Sequence, residues 1–266
     1  MNIIEKSVTI EDNFEIGHFN TIGGDIKIGK NVSIGNNCTI NGKITIGDNV
    51  KIANNVVISN NVAIGNDNII GNNCCIGMIP VADRSYNENS RILIKIGDNN
   101  ILGENVYIYS NILEHSITTI GNNNKFLSNI CIHHDVHIGD HVIISDNCSV
   151  SGYVTIYHHA VLGVNTSIHQ YATIGAFCMI GMSSVVTKDI PPFLTVFGSP
   201  ASFKGLNIVG LKRFDFYKYY HEIIEFYLHN KMSQNIQKDL DEFFKTSRRK
   251  ILRIDKSVEL KKEGKS

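Results

Sequence analysis

The chain has 266 residues, with Lys plus Arg and Asp plus Glu balanced at 25 each, which excludes the global basic field that draws in nucleic acid or acidic membranes. The first residues, MNIIEKSVTIEDNFEIG, scatter charge and hold no continuous apolar run, so neither a secretion signal nor a membrane span is expected and the cytoplasm is the expected compartment. Six cysteines are scattered, without metal-finger or disulfide spacing, and most read as small buried hydrophobes.

From residue 14 to 77 the sequence falls into sixes. Isoleucine returns at Ile16, Ile22, Ile28, Ile34, Ile40, Ile46, Ile52, Ile58, Ile64, Ile70 and Ile76, usually followed by glycine, with a second apolar residue such as Ile26, Val32 or Ile44 two places earlier. A spacing of two belongs to a strand, whereas a period of six would scatter the isoleucines around a helix. A short strand and a two-residue corner rich in Gly and Asn make one side of a triangle. Three such sides make a coil of eighteen residues, stacked on the next at about 4.8 Å. The expected fold is therefore an all-β solenoid with isoleucines stacked inward.

The frame breaks after Gly77 and resumes at Ile96, so a polar loop is expected at about 78–93, where Pro80, Asp83, Arg84 and Tyr86 lie. Loops on rigid scaffolds often carry function. The second run continues from Leu102 to Val186, with Glu114 alone off the frame as a weaker candidate for another excursion. Pro191-Pro192 should end the repeat, because proline lacks a ladder donor. Residues 1–192 then form the solenoid and 193–266 a mainly α-helical extension. In the extension Tyr220, Ile223, Ile224, Tyr227 and Leu228, then Ile236, Leu240, Phe243 and Phe244, recur at three and four, which predicts two amphipathic helices, the second capped by Ser233. From about Lys256 the chain is a charged, solvated tail.

Residues eighteen apart share an edge of the prism. His133 then stacks with Ser151 and His169, His134 with Gly152 and Gln170, and Asp135 with Tyr153 and Tyr171. One corner gathers a general-base candidate, a carboxylate to orient it and a glycine that lets a substrate approach a backbone N–H. His137, His141, His158 and His159 read as solvated corner residues, and Cys131 as a small filler. His133, His134 and His137 could alternatively be recruited to an intersubunit zinc site, but no pattern fixes a three-ligand set and no metal is expected.

The segments IHHDVHIGDHVIISDNCSVSGYVTI, LGVNTSIHQYATIGAFCMIG and KDIPPFLTVFGSPASFKGLNIVGLKRFDF, with ADRSY upstream, resemble the UDP-N-acetylglucosamine O-acyltransferases that begin lipid A synthesis. The resemblance covers most of the chain, and its specific segments are HD, SG, HQ and GLNIVGLKR. It implies a left-handed parallel β-helix of hexapeptide repeats that assembles as a homotrimer with sites between subunits. It also implies that His134 is the catalytic base, Asp135 its partner and Gly152 the oxyanion donor. His169, Gln170, Asn207 and Arg213 match positions that bind the acyl donor or the sugar nucleotide, and Asp83 a loop residue that contacts the nucleotide.

The departures are specific. Tyr153 stands where a histidine is usual, Ser85 where a lysine is, Cys131 where another histidine is, and Phe214 where a second arginine is, which thins phosphate recognition. Met182 stands where glycine would let a long chain pass, so its side chain implies a short or medium acyl group. Gly198 to Ala201, GSPA, looks like hexapeptide acetyltransferases and points the same way. The expected function is acyl transfer from an acyl carrier protein or coenzyme A thioester to a nucleotide-linked sugar, with no other cofactor. N-acylation of a UDP- or dTDP-aminosugar competes with 3-O-acylation of UDP-N-acetylglucosamine, and a non-catalytic β-helix scaffold is the alternative of another class.

Overall fold

The computed structural model describes residues 1–80, 93–112 and 116–254. The sixes fold into the expected left-handed parallel β-helix. On one side Ile22 pairs with Ile40, Ile40 with Ile58 and Ile58 with Ile76, then Ile76 with Ile108, Ile108 with Ile132, Ile132 with Val150 and Val150 with Ile168. The frame isoleucines from Ile22 to Ile180 are buried, and they form one continuous core with the residue two places earlier, which is apolar in most coils and a buried Asn at Asn20, Asn68, Asn100 and Asn124. The first coil has a covering coil on one side only, and Ile3, Ile4 and Ile10 are exposed there.

Most corners place Asn at positive φ, as at Asn31, Asn37, Asn49 and Asn55. Asparagine tolerates the left-handed region and can bond locally. Here its amide also bonds the next coil: Asn31 Nδ2 donates to Asn49 Oδ1 at 3.0 Å and Asn49 Nδ2 to Asp67 Oδ1 at 3.0 Å. One corner differs along its length. In the early coils Thr21–Ile28, Thr39–Ile46 and Val57–Ile64 run straight through it as long strands, bent at Gly24 and Gly42 with φ of 103° and 132°. A side chain on Gly24 would run into the Gly42 carbonyl. Further along, the same corner becomes an ordinary two-residue bend carrying His134, Gly152 and Gln170.

Both excursions leave from this corner. Ile64 pairs with Ile96 and Ile96 with Ile120, whereas an unbroken coil puts the partner eighteen residues on. The first insertion follows Cys75–Met78 and the second follows Val106–Tyr109, so the off-frame Glu114 marks a true interruption, although Glu114 itself lies outside the described residues.

The coil runs past Pro191-Pro192. Ile190 bridges Ile174, Leu194–Phe197 pairs parallel with Met179–Ile180, and an antiparallel turn brings Ser202–Leu206 back against it. The physical reason is direction. The N–H after each core residue donates to the following coil, as Gly175 N–H does to Ile190 O at 2.8 Å. The last coil has no follower, so Pro191 removes no bond.

Three helices then cap this end: α1 (Ile208–Arg213), α2 (Tyr220–His229) and α3 (Gln234–Thr246). The two expected from periodicity are α2 and α3, and the Ser233 hydroxyl accepts the Asn235 N–H at 3.2 Å as the cap of α3. Helix α1 was too short to show a period. After α3 a strap of residues 247–252 returns to the coil around Asp189, which is fully buried. Asp189 accepts from Thr173 N–H at 2.8 Å, the Ser247 hydroxyl at 2.6 Å and Arg249 N–H at 2.7 Å. The charged tail from 256 lies outside the described residues.

Candidate active site

His134, Asp135, Gly152 and Gln170 share the corner below the two excursions. The His134 Nδ1–H donates to Asp135 Oδ2 at 2.8 Å, with the carboxylate almost fully buried. Asp135 Oδ2 also accepts from Ile112 N–H at 3.0 Å, and its own N–H donates to Thr118 Oγ1 at 2.9 Å. Burial raises the Asp135 pKa, but hydrogen bonds from His134, Ser116 and the Ile112 N–H, helped by the His134 charge, outweigh it and hold the carboxyl below its ordinary range. An ionised Asp135 keeps the proton of His134 on Nδ1 and leaves the Nε2 lone pair available. Among the described residues Nε2 meets no partner. Asp135 Oδ1 is buried without a hydrogen-bond partner among the described residues.

The ring of His134 lies over Gly152. A Cβ built on Gly152 would fall 2.6 Å from His134 Nε2, so the glycine is required by the imidazole as well as by any approach to its N–H. Among the described residues that N–H meets no acceptor. Tyr153 sits edge-on to His134, with ring centroids 5.0 Å apart, and stacks on Tyr171 at 4.7 Å.

Beside the corner, His133 stacks on Tyr109 at 5.3 Å, and its Nε2 lies 3.5 Å from Cys131 Sγ. Burial, then the neighbouring His134, pushes the His133 pKa down. Burial pushes the Cys131 thiol up, which leaves it an unreactive filler. His169 is exposed, its Nδ1 donating to Gln170 O at 3.1 Å. The strap reaches the same place, since Arg249 donates from Nη1 to Gln170 O at 3.0 Å and from Nε to Thr187 O at 2.9 Å.

The other residues implied by resemblance stand elsewhere on the chain. Met182 is 71% exposed on the corner that follows Met179–Ile180. Asn207 is buried and committed to structure, its Oδ1 accepting from Gly210 N–H at 3.0 Å to cap α1 and its Nδ2 donating to Phe177 O at 2.8 Å. Arg213 is exposed in the last turn of α1. Asp83 and Ser85 lie outside the described residues. His158 and His159, expected to be solvated, hold the extension to the coil: His158 Nε2 lies 2.7 Å from Asp239 Oδ1 on α3, and His159 packs edge-on against Phe214 with ring centroids 4.2 Å apart. Burial, then His158 and His141, push the His159 pKa down to about 4. Among the described residues no three His, Cys, Asp or Glu side chains gather as metal ligands, and no helix is long and apolar enough to cross a membrane.

Sequence reasoning missed Ile112 and Ser116, which hold Asp135 from the second excursion, and Thr118, which takes its N–H from the strand that follows. The off-frame Glu114 was the one available signal. It also missed Arg249 of the strap, for which the sequence carries no period.

The bacterial transferase hexapeptide family, in six-repeat form, matches residues 7–42 and 43–77. The family described as Udp N-acetylglucosamine O-acyltransferase, domain 2, matches residues 189–262. Among solved structures, the UDP-N-acetylglucosamine acyltransferase of Francisella novicida is 28% identical with a TM-score of 0.79, covering 99% of this chain and 98% of its own. That of Campylobacter jejuni is 26% identical at 0.74, covering 96% and 98%, and that of Arabidopsis is 26% identical at 0.71, covering 90% and 88%. No curated protein sequence matches. With the coil, the capped end and the His–Asp corner in place, the chain is a hexapeptide-repeat acyltransferase. Within that class it is similar along nearly its whole length to UDP-N-acetylglucosamine acyltransferases, and its end matches the second domain of that family.

Proposed function

We propose that this acyltransferase moves a short or medium acyl group from an acyl carrier protein or coenzyme A thioester to a hydroxyl of a nucleotide-linked sugar, with His134 as general base. The observation that carries the reading is the His134–Asp135 pair, held at 2.8 Å with Nε2 free. Nε2 takes the proton of the attacking hydroxyl as its oxygen bonds to the thioester carbonyl. The negative charge that develops on the carbonyl oxygen is met by the unpaired Gly152 N–H. The tetrahedral intermediate then collapses, the C–S bond breaks, and the departing thiolate takes the proton from His134. The thioester is the only co-substrate this sequence of steps needs.

The site residues implied by resemblance occupy three different corners of one prism: His134 on one, Met182 on another, and Asn207 with α1 against Phe177 by the third. One chain cannot converge them, which supports a parallel homotrimer with sites between copies. Light scattering tests this, and a clean monomer would remove the intersubunit site. The function is tested by mass spectrometry with purified protein, UDP-N-acetylglucosamine and 3- or 4-amino nucleotide sugars set against thioesters of graded length. Ester product from the shorter thioesters is expected, with a rate loss of roughly 10² to 10⁴ in His134→Ala. An amide product would move the reading to N-acylation, and turnover of no pair would sink it.

A further inference from the structure

The catalytic corner ends at Gln170, and its last rung is not made by a coil. Two coils before Gln170 the His134 carbonyl accepts the Tyr153 N–H at 3.1 Å, and one coil before it the Gly152 carbonyl accepts the Tyr171 N–H at 3.0 Å. The residue due to continue the series, placed as Tyr171 is but one coil further on, is Asp189. Its N–H instead donates to Lys250 O of the strap at 3.2 Å. The Gln170 carbonyl thus loses its backbone donor, and a backbone acceptor in folded structure needs another. The Arg249 guanidinium takes that place. Its Nη1 donates to Gln170 O at 3.0 Å and its Nε to Thr187 O at 2.9 Å, which ties two successive coils together where the regular rung is missing.

Gln170 depends on this contact. Among the described residues its side chain and its N–H make no hydrogen bond, and the other partner of its carbonyl is the exposed ring of neighbouring His169, through Nδ1 at 3.1 Å. Arg249 is itself held, since its N–H donates to Asp189 Oδ2 at 2.7 Å, as the Ser247 hydroxyl does at 2.6 Å, and Asp189 is fully buried. A planar guanidinium presents its N–H groups in a fixed fork, with charge-assisted bonds, a geometry that the compact ammonium of lysine does not reproduce. We infer that Arg249 is a positioning residue for the catalytic corner, fixing the Gln170 peptide beside Gly152 from the far end of the chain. It acts through Gln170 and not on the substrate. A corner left loose by about 1 Å loses rate without losing its fold. The inference rests on the acyl-transfer reading above and makes that reaction depend on the strap after α3.

Arg249→Ala in the full-length protein removes both side-chain bonds and leaves the strap N–H on Asp189 in place. Single-turnover acyl transfer should slow roughly 10- to 10²-fold, with Arg249→Lys between it and wild type and the thermal melts of both close to wild type. If Arg249→Ala does not fold, Arg249→Lys carries the same comparison. A role in stability alone predicts a lowered melting temperature with the transfer rate of the folded protein unchanged, and that result overturns the inference. Action through Gln170 is read by a double-mutant cycle. In a Gln170→Ala background the further loss from Arg249→Ala should shrink to less than about threefold, and the full loss repeated there overturns the inference. A crystal structure of Arg249→Ala keeps the two readings apart, because it reports the Gln170 peptide whether or not any sugar is acylated. A peptide displaced by roughly 1 Å supports the positioning role even where no acyl acceptor is found, and an undisplaced one overturns it while leaving the acyl-transfer reading in place.

Discussion

Gly152→Ala separates the position of the His134 ring from everything else in the coil. Gly152 has no left-handed φ, so alanine fits its backbone, and its carbonyl keeps the 3.0 Å bond from Tyr171 N–H. The added methyl, however, would stand 2.6 Å from His134 Nε2 and 3.0 Å from Nδ1. Ordinary carbon contacts begin near 3.5 Å, so the ring must move by roughly 1 Å. The 2.8 Å bond to Asp135 Oδ2 cannot survive a shift of that size, because hydrogen bonding is lost beyond about 3.5 Å. Misplacement by about 1 Å costs roughly 10²-fold in rate, while stability should change by no more than about 1 kcal/mol. Single-turnover acyl transfer at saturating substrate reads the first and a thermal melt the second. A variant that turns over within about threefold of wild type would refute the placement of His134 as base, since a 1 Å shift of the true base has to be felt.

Gln170→Asn should lower the rate by roughly 10²-fold while leaving the fold intact or firmer, for a reason developed below. Asp189→Ala strands three donors, Thr173 N–H, Ser247 Oγ–H and Arg249 N–H. It should cost about 2–4 kcal/mol in denaturant melts and expose residues 247–252 to limited proteolysis. The His159 pKa is pushed down to about 4 in the folded chain, below its ordinary value, so between these the unfolded chain binds more protons. Stability should therefore fall as pH drops from about 6.5 toward 4. A melting temperature in His159→Phe that keeps the wild-type slope over that window would count against the buried neutral imidazole.

The core was legible because a β-helix interior admits one inward residue at each sixth place, and the buried isoleucines report that directly. The corner was legible for the same reason, since His134, Gly152 and Gln170 differ by multiples of eighteen and the frame from Ile132 to Ile174 is unbroken. What the frame could not show are groups that reach the corner without belonging to it. Ile112 and Ser116 come from an insertion, where register no longer fixes neighbours, and Thr118 from the strand that resumes after it. Arg249 comes from a strap that returns after three helices, placed by one buried carboxylate rather than by any pattern. Asn207 illustrates the converse. Its segment resembles a ligand-binding stretch, yet both ends of its amide are occupied by Gly210 N–H and Phe177 O, which only coordinates could reveal.

The oxyanion donor follows from what the scaffold does at its other corners. There, where the next coil offers Asn or Asp, the residue two after the core residue has its N–H bonded to that side chain: Asn36 N–H to Asn54 Oδ1 at 2.9 Å, Asn54 N–H to Asn72 Oδ1 at 3.0 Å, and Ser128 N–H to Asp146 Oδ1 at 2.9 Å. His134, Gly152 and Gln170 hold that same position on the catalytic corner. The counterpart of Asn72 is Gln170, one methylene longer than the Asn or Asp that makes the rung, and Gly152 N–H is left without an acceptor among the described residues. A donor that an Asn or Asp in the next coil would bond is thus left open for a developing charge. Shortening Gln170 to Asn should supply the missing rung, capture the Gly152 N–H and remove it from the reaction. A lost oxyanion donor costs roughly 10²–10³ in rate, while the new hydrogen bond adds about 1 kcal/mol of stability. Loss of kcat with a raised melting point and unchanged nucleotide-sugar affinity is the expected signature. Full activity in Gln170→Asn, with a crystal structure of that variant showing the shortened amide oxygen bonded to Gly152 N–H, would place the oxyanion donor elsewhere.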